Sequence, residues 1–114
     1  MFDAVFFTTA SGRSPVEDFI NQQDEKAANK IYRTIGLLKK FGFRLPGKHI
    51  KSLKNTRGLW ELRIKTRART YRIFFAQVER KLVLLLHVMT KKTQKTPARD
   101  LKTAGERLRE YKVS

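Results

Sequence analysis

The chain has 114 residues with a hydrophobic fraction of 40%, which suits one compact domain and is too apolar for a disordered tail. It contains no cysteine, which excludes a disulfide scaffold, a thiolate zinc site and a cysteine nucleophile. Its 26 Lys and Arg oppose 10 Asp and Glu, a formal net charge of +16 that repels itself in the folded state and points to a polyanionic partner: nucleic acid first, then an anionic membrane surface or an acidic protein.

In chain order, Met1 to Ala10 lacks the basic start and long apolar stretch of a secretory signal. Phe2 to Thr8 is rich in Phe, Val and Thr and predicts a short strand. Ser14-Pro15-Val16-Glu17 reads as a helix start, with Ser14 as cap, Pro15 in the first helical position and Glu17 completing a capping box. This helix is predicted to end near Asn21. Asp24 caps a second helix, on which Ala27, Ala28, Ile31, Ile35 and Leu38 form one apolar face, and Gly42 stops it. The two make a helical hairpin whose apolar stripe requires a sheet or a partner to cover it.

Phe43 to Gly58 holds Pro46-Gly47 and several lysines and reads as a loop. Trp60-Leu62-Ile64 alternates with Glu61-Arg63-Lys65, the pattern of a half-buried strand. The basic segment Lys65 to Arg69 connects it to a strand from Tyr71 to Gln77, with Tyr71, Ile73 and Phe75 on one side and Arg72, Phe74 and Ala76 on the other. After a turn at Glu79-Arg80, Leu82 to Met89 is apolar on both faces except at His87 and reads as a central strand. Its longest apolar run, Leu82 to Leu86, is far too short to span a membrane. Thr96-Pro97 opens a last helix with an apolar stripe of Leu101, Ala104, Leu108 and Tyr111. The expectation is a single α+β domain over residues 1–114: N-terminal strand, helical hairpin, antiparallel meander, C-terminal helix. With no signal sequence, no membrane span and no cysteine, it is expected in the cytoplasm.

The charge is uneven. Lys39 to Arg72 holds twelve basic residues and one acid, Glu61, whereas the first 38 residues are nearly balanced. No metal-ligand set, P-loop or Gly-rich dinucleotide turn occurs, and no cofactor is expected. A nuclease that holds magnesium needs carboxylates, and Glu61 is the only acid from residue 26 to residue 78.

A cationic surface with one or two proton-transfer groups suits metal-independent RNA cleavage. In that reaction the 2′-hydroxyl attacks the adjacent phosphate. Arginine offers fixed charge and bidentate geometry to phosphate. A lysine crowded by cations exchanges protons more readily, and histidine titrates near neutrality. Arg63 and Arg72 each lie within an otherwise apolar strand. Paired as a hairpin in the one register that sets them opposite each other, which the residues leave open, they share a side, either as a phosphate site or as a solvated outer face. His87 is either a hydrogen-bonded core residue or a proton-transfer group. Lys91 and Lys92 put two cations at the end of the central strand. Lys51, Lys54, Arg67, Arg69 and Lys95 are candidates for gripping backbone phosphates. Trp60, Phe74 and Phe75 either stack bases or fill the core.

The runs Gly58 to Ile64, Tyr71 to Phe75 and Leu86 to Pro97 together resemble the HigB branch of the RelE/ParE toxin superfamily, phage-derived relatives included. The string Lys91-Lys92-Thr93-Gln94-Lys95-Thr96-Pro97 is the most specific part. The resemblance implies a curved antiparallel sheet with two helices on one face and a basic concave face on the other. It implies a type II toxin that cleaves mRNA on the ribosome and is neutralised by a helix-turn-helix antitoxin of the HigA kind. By position, Arg63, Arg72 and Lys92 resemble the family's cationic active-site residues, with Lys91 and His87 in the same motif. The RelE pattern has two basic residues spaced by one on the strand of Arg63, whereas here the earlier position is Glu61. RelE also carries a catalytic-face tyrosine near its C-terminus. Here Thr96-Pro97 follows and Tyr111 lies later, on the helix stripe, so His87 or a lysine is left for proton transfer. Two other readings fit the charge: a ParE-like gyrase-poisoning toxin of the same fold, and a non-catalytic nucleic-acid-binding module.

Overall fold

The computed structural model describes residues 1–90 and 96–113. Its order is β1 (Asp3–Phe6), α1 (Pro15–Asn21), α2 (Glu25–Phe41), a 3-10 turn (Gly42–Arg44), β2 (Ile50–Ser52), β3 (Trp60–Lys65), β4 (Thr70–Glu79), β5 (Leu82–Thr90) and α3 (Ala98–Val113). This is the α+β arrangement expected, with two additions. The segment read as a loop contains the 3-10 turn and β2, an edge strand of three residues too short to show a periodicity. The strand order is β1-β5-β4-β3-β2, and β1 joins β5 in parallel, so the meander β2 to β5 is antiparallel but the sheet is mixed.

Period-two alternation divides β3 and β4 between two cores. Leu62, Ile64, Tyr71, Ile73 and Phe75 face α1 and α2, where Val16, Ile20, Ile31 and Leu38 are buried against them. Phe74, Ala76, Leu84 and Leu86 face the other way, onto Ala104 and Leu108 of α3. The second face is therefore not a bare concave surface. The C-terminal helix packs on part of it, because its Ala104 and Leu108 need apolar cover as much as the stripe of α2 does.

Local capping follows the sequence at α2 and departs from it at α1. Asp24 is extended (ψ 162°) and its Oδ1 accepts the Ala27 amide at 2.8 Å, the expected N-cap. Ser14 has ψ 87° and makes no side-chain cap bond, so the predicted capping box does not form. Away from extended geometry its hydroxyl does not reach the first-turn amides. Pro15 does occupy the start of the helix. Gly42 ends α2 at φ +58°, and the Phe2 ring lies 2.2 Å from where a Cβ would stand. Only glycine meets both demands.

A β-bulge decides where His87 points. Phe74 pairs with His87 and Phe75 with Leu85, so Leu86 is the extra residue of β5. Strict alternation from Leu84 would send His87 into the α1/α2 core. The bulge instead places Leu86 and His87 both on the α3 side.

Candidate functional site

On the α3 face, cross-strand pairing builds two adjacent rows. The first runs Lys51 (β2), Glu61 (β3), Phe74 (β4), His87 (β5); the second runs Arg63, Arg72, Met89. Arg63 and Arg72 are direct partners, so both guanidinium groups rise from the same side of the sheet, opposite α1 and α2.

Their environments differ. Arg72 is 2% exposed and Glu61 1%, whereas the Arg63 side chain keeps 30% of its surface in water. Glu61 serves both: Oε2 accepts from Arg63 Nε at 2.7 Å, and Oε1 lies 3.5 Å from Arg72 Nη1. Arg72 Nη1 also donates to Thr96 Oγ1 at 2.7 Å, which ties β4 to the residues leading into α3. The acid that breaks the basic pattern is thus the counter-ion for two adjacent arginines, which would otherwise repel across the strands.

His87 stacks on Phe74, with ring centroids 5.8 Å apart and planes 5° from parallel. Its Nε2 is 2.6 Å from Asp100 Oδ1 at the start of α3. An ionised carboxylate only accepts, so Nε2 carries the hydrogen. Arg107, two turns further along α3, donates to the Leu86 carbonyl at 2.8 Å and stands 3.5 Å from His87 Nδ1, too far for a firm hydrogen bond. It also lies over the Phe7 ring at 5.6 Å. Burial pushes the Arg107 pKa down from its usual value, against the opposing field of Glu110. His87 therefore has one nitrogen fixed by a carboxylate and the other beside a cation, on a side chain 18% exposed.

Nothing in the sequence reading pointed to Asp100 and Arg107 as neighbours of His87. A helical signal existed: residues 100, 104 and 108 recur every four and are the buried residues of α3. Which strand residue this stripe meets depends on how the helix docks.

The expected phosphate-gripping residues separate. Lys51 lies in the row of Glu61 and His87. Exposed Lys54 lines a groove between the 54–59 loop and α3. Arg67 and Arg69 belong to the β3–β4 turn at the opposite end of β3, where they line a pocket of about 570 Å³ with Lys26, Lys30 and Tyr71. Trp60, Phe74 and Phe75 are core or core-packed, with Trp60 4.9 Å from Phe43, and do not present faces for stacking bases. Lys91, Lys92 and Lys95 lie outside the described residues. Among the described residues no helix is long and apolar enough to cross a membrane.

The chain is thus a mixed sheet with a helical pair on one face and, on the other, an Arg/His/Asp constellation under a C-terminal helix. Residues 18–109 match the family of phage-derived Gp49-like proteins (DUF891), and the chain belongs to that family. The family is part of the RelE-related, toxin–antitoxin-like group, which implies an antitoxin partner. No curated protein matches the chain.

Proposed function

We propose that this chain is the toxin of a type II pair, a HigB-like endoribonuclease that cleaves mRNA on the ribosome without a metal. The observation that carries the reading is the juxtaposition of half-exposed Arg63, backed by Arg72 and Glu61, with the His87–Asp100 pair one row away on the same face.

In this reading the RNA 2′-oxygen forms a bond to the adjacent phosphorus and the bond to the 5′-oxygen breaks. The products are a 2′,3′-cyclic phosphate and a free 5′-hydroxyl. A base takes the proton of the 2′-hydroxyl, and an acid returns one to the departing oxygen. Arg63 donates to the phosphoryl oxygens as charge builds there. His87 exchanges a proton through Nδ1, while Asp100 holds Nε2–H and so sets the tautomer. Lys91 and Lys92, which follow Thr90 in the sequence, add charge and proton transfer. Arg72 acts from beneath by positioning Glu61 and Arg63. Lys51, Lys54, Arg67, Arg69 and Lys95 hold flanking phosphates.

The test is cleavage of a translated message by purified chain and ribosomes, mapped by primer extension. Ribosome-dependent cuts within the reading frame are expected, and they should disappear with Arg63→Ala. Gyrase-dependent double-strand DNA breaks would make it a ParE-like poison instead. Ribosome or RNA binding with no cut would leave a binding module.

A further inference from the structure

Apart from Lys54 on its rim, the groove between α3 and the 54–59 loop takes no part in the reaction just described. Its volume is about 710 Å³. Its floor is apolar: Leu59 and Leu108 are buried at the base and Leu101 is half-buried beside them. Its rim is cationic, with exposed Lys54 and Arg57 on the loop and Lys102, Arg109 and Lys112 on the helix, against a single acid, Glu106. Gly105 lies at the middle of the helical wall, and nothing stands within 4 Å of the position its Cβ would take.

We propose that this groove is the docking site for an acidic amphipathic helix of a protein partner. Three features select that occupant. The rim cations complement acidic flanks. The leucine floor fits aliphatic side chains repeating at i, i+3 or i+4, and i+7. No aromatic side chain lines the groove to stack a base, as single-stranded RNA would require. The wall from Ala98 to Lys112 spans about 21 Å at the helical rise, room for a partner helix of about four turns. The missing side chain of Gly105 lets that helix approach closely at mid-length. This assignment stands apart from the ribonuclease reading, since none of these residues belongs to the Arg63–His87 constellation.

The probe is a labelled synthetic 16-residue helix with leucine at the i, i+4, i+7 and i+11 positions and mostly glutamate elsewhere. Its binding to the full chain is followed by fluorescence anisotropy. Binding is expected, falling roughly tenfold or more when the leucines become serine and again when Gly105→Phe fills the groove. Gly105→Ala should bind within a few-fold of wild type. Should Gly105→Phe fail to fold by circular dichroism, the surface pair Lys102→Glu with Arg109→Glu takes its place with the same expected loss. The proposal is overturned if the leucine and serine peptides bind alike, because the contact is then charge alone. It is equally overturned if no peptide binds, if the groove variants bind as wild type, or if a 12-nucleotide oligouridylate binds there in preference to the peptide. Loss of mRNA cleavage has no bearing on these outcomes.

Discussion

Arg63 and Arg72 are neighbours by register, yet the same substitution in each should report different physics. Removing Arg72 leaves Glu61, 1% exposed, with one of its two cations gone. Breaking one side of a buried ion network costs on the order of 3–5 kcal/mol. Arg72→Ala should therefore lower the melting temperature by many degrees, and any loss of cleavage it causes must be read beside that melt. Arg63 is partly solvated, so water can replace it beside Glu61 Oε2, and Arg63→Ala should destabilise the fold less than Arg72→Ala does. Its single-turnover cleavage, with saturating chain, should fall by about a hundredfold or more. Equal melting temperatures for the two variants would show that Glu61 does not depend on Arg72. His87 and Asp100 make a linked case. If His87 transfers a proton and Asp100 orients it, His87→Ala should slow cleavage by about 10²–10⁴. Asp100→Asn should slow it through the wrong tautomer, while Asp100→Glu should recover part of the rate. Cleavage unchanged in both Asp100 variants would reduce the pair to a pin holding α3 on the sheet.

At the scale of elements, the strongest local constraint is the junction of α2 with the N-terminal strand. Gly42 combines φ +58° with a Phe2 ring that occupies the space of a side chain, and Phe2 in turn packs edge-on against Phe43 at 5.5 Å. Gly42→Ala forces either the backbone or that aromatic pair to move, at a cost of about 1–3 kcal/mol. Chemical denaturation should show this as a lower midpoint with an unchanged slope. Ser14 offers the contrast. Its hydroxyl makes no cap bond, so Ser14→Ala should move the midpoint far less than the 0.5–2 kcal/mol of a working N-cap. Asp24→Ala, which removes the bond to the Ala27 amide, should show about that full amount. The β5 bulge belongs to the same scale: it re-aims His87 toward α3 and, with it, turns Val88 into the α1/α2 core.

For the whole molecule, the governing fact is a net charge of +16, with groups of cations among the described residues at two ends of β3 and along α3. Ribosome or RNA affinity should fall steeply with salt, because each phosphate contact releases about 0.7 counter-ion on single strands. If Arg67 and Arg69 grip phosphate, each alanine substitution should reduce the slope of log affinity against log salt by about that amount. The cleavage rate at saturation should remain near wild type. A slope unchanged in both variants would place their pocket outside the RNA path.

Much of this was legible in the residues themselves, because helix and strand periods are local. The apolar stripe of α2, its Asp24 cap, its Gly42 stop and the alternation of β3 and β4 determined the α+β class, whereas the register that pairs Arg63 with Arg72, and so puts them on a common side, was decided by the folded hairpin. The basic surplus determined the kind of partner to seek. Three further things were decided only in three dimensions. Edge strands β1 and β2 are too short for a pattern, so the parallel pairing of β1 and the existence of β2 depended on which edges the sheet left open. The bulge depended on a mismatch between two strands that neither displays alone. The chemistry around His87 depended on where α3 docks, since Asp100 and Arg107 become its neighbours only when Ala104 and Leu108 bury themselves on Phe74, Leu84 and Leu86. Hydrophobic burial, which is non-directional, drew the helix onto the sheet; the polar groups it carried there were set by the helical period.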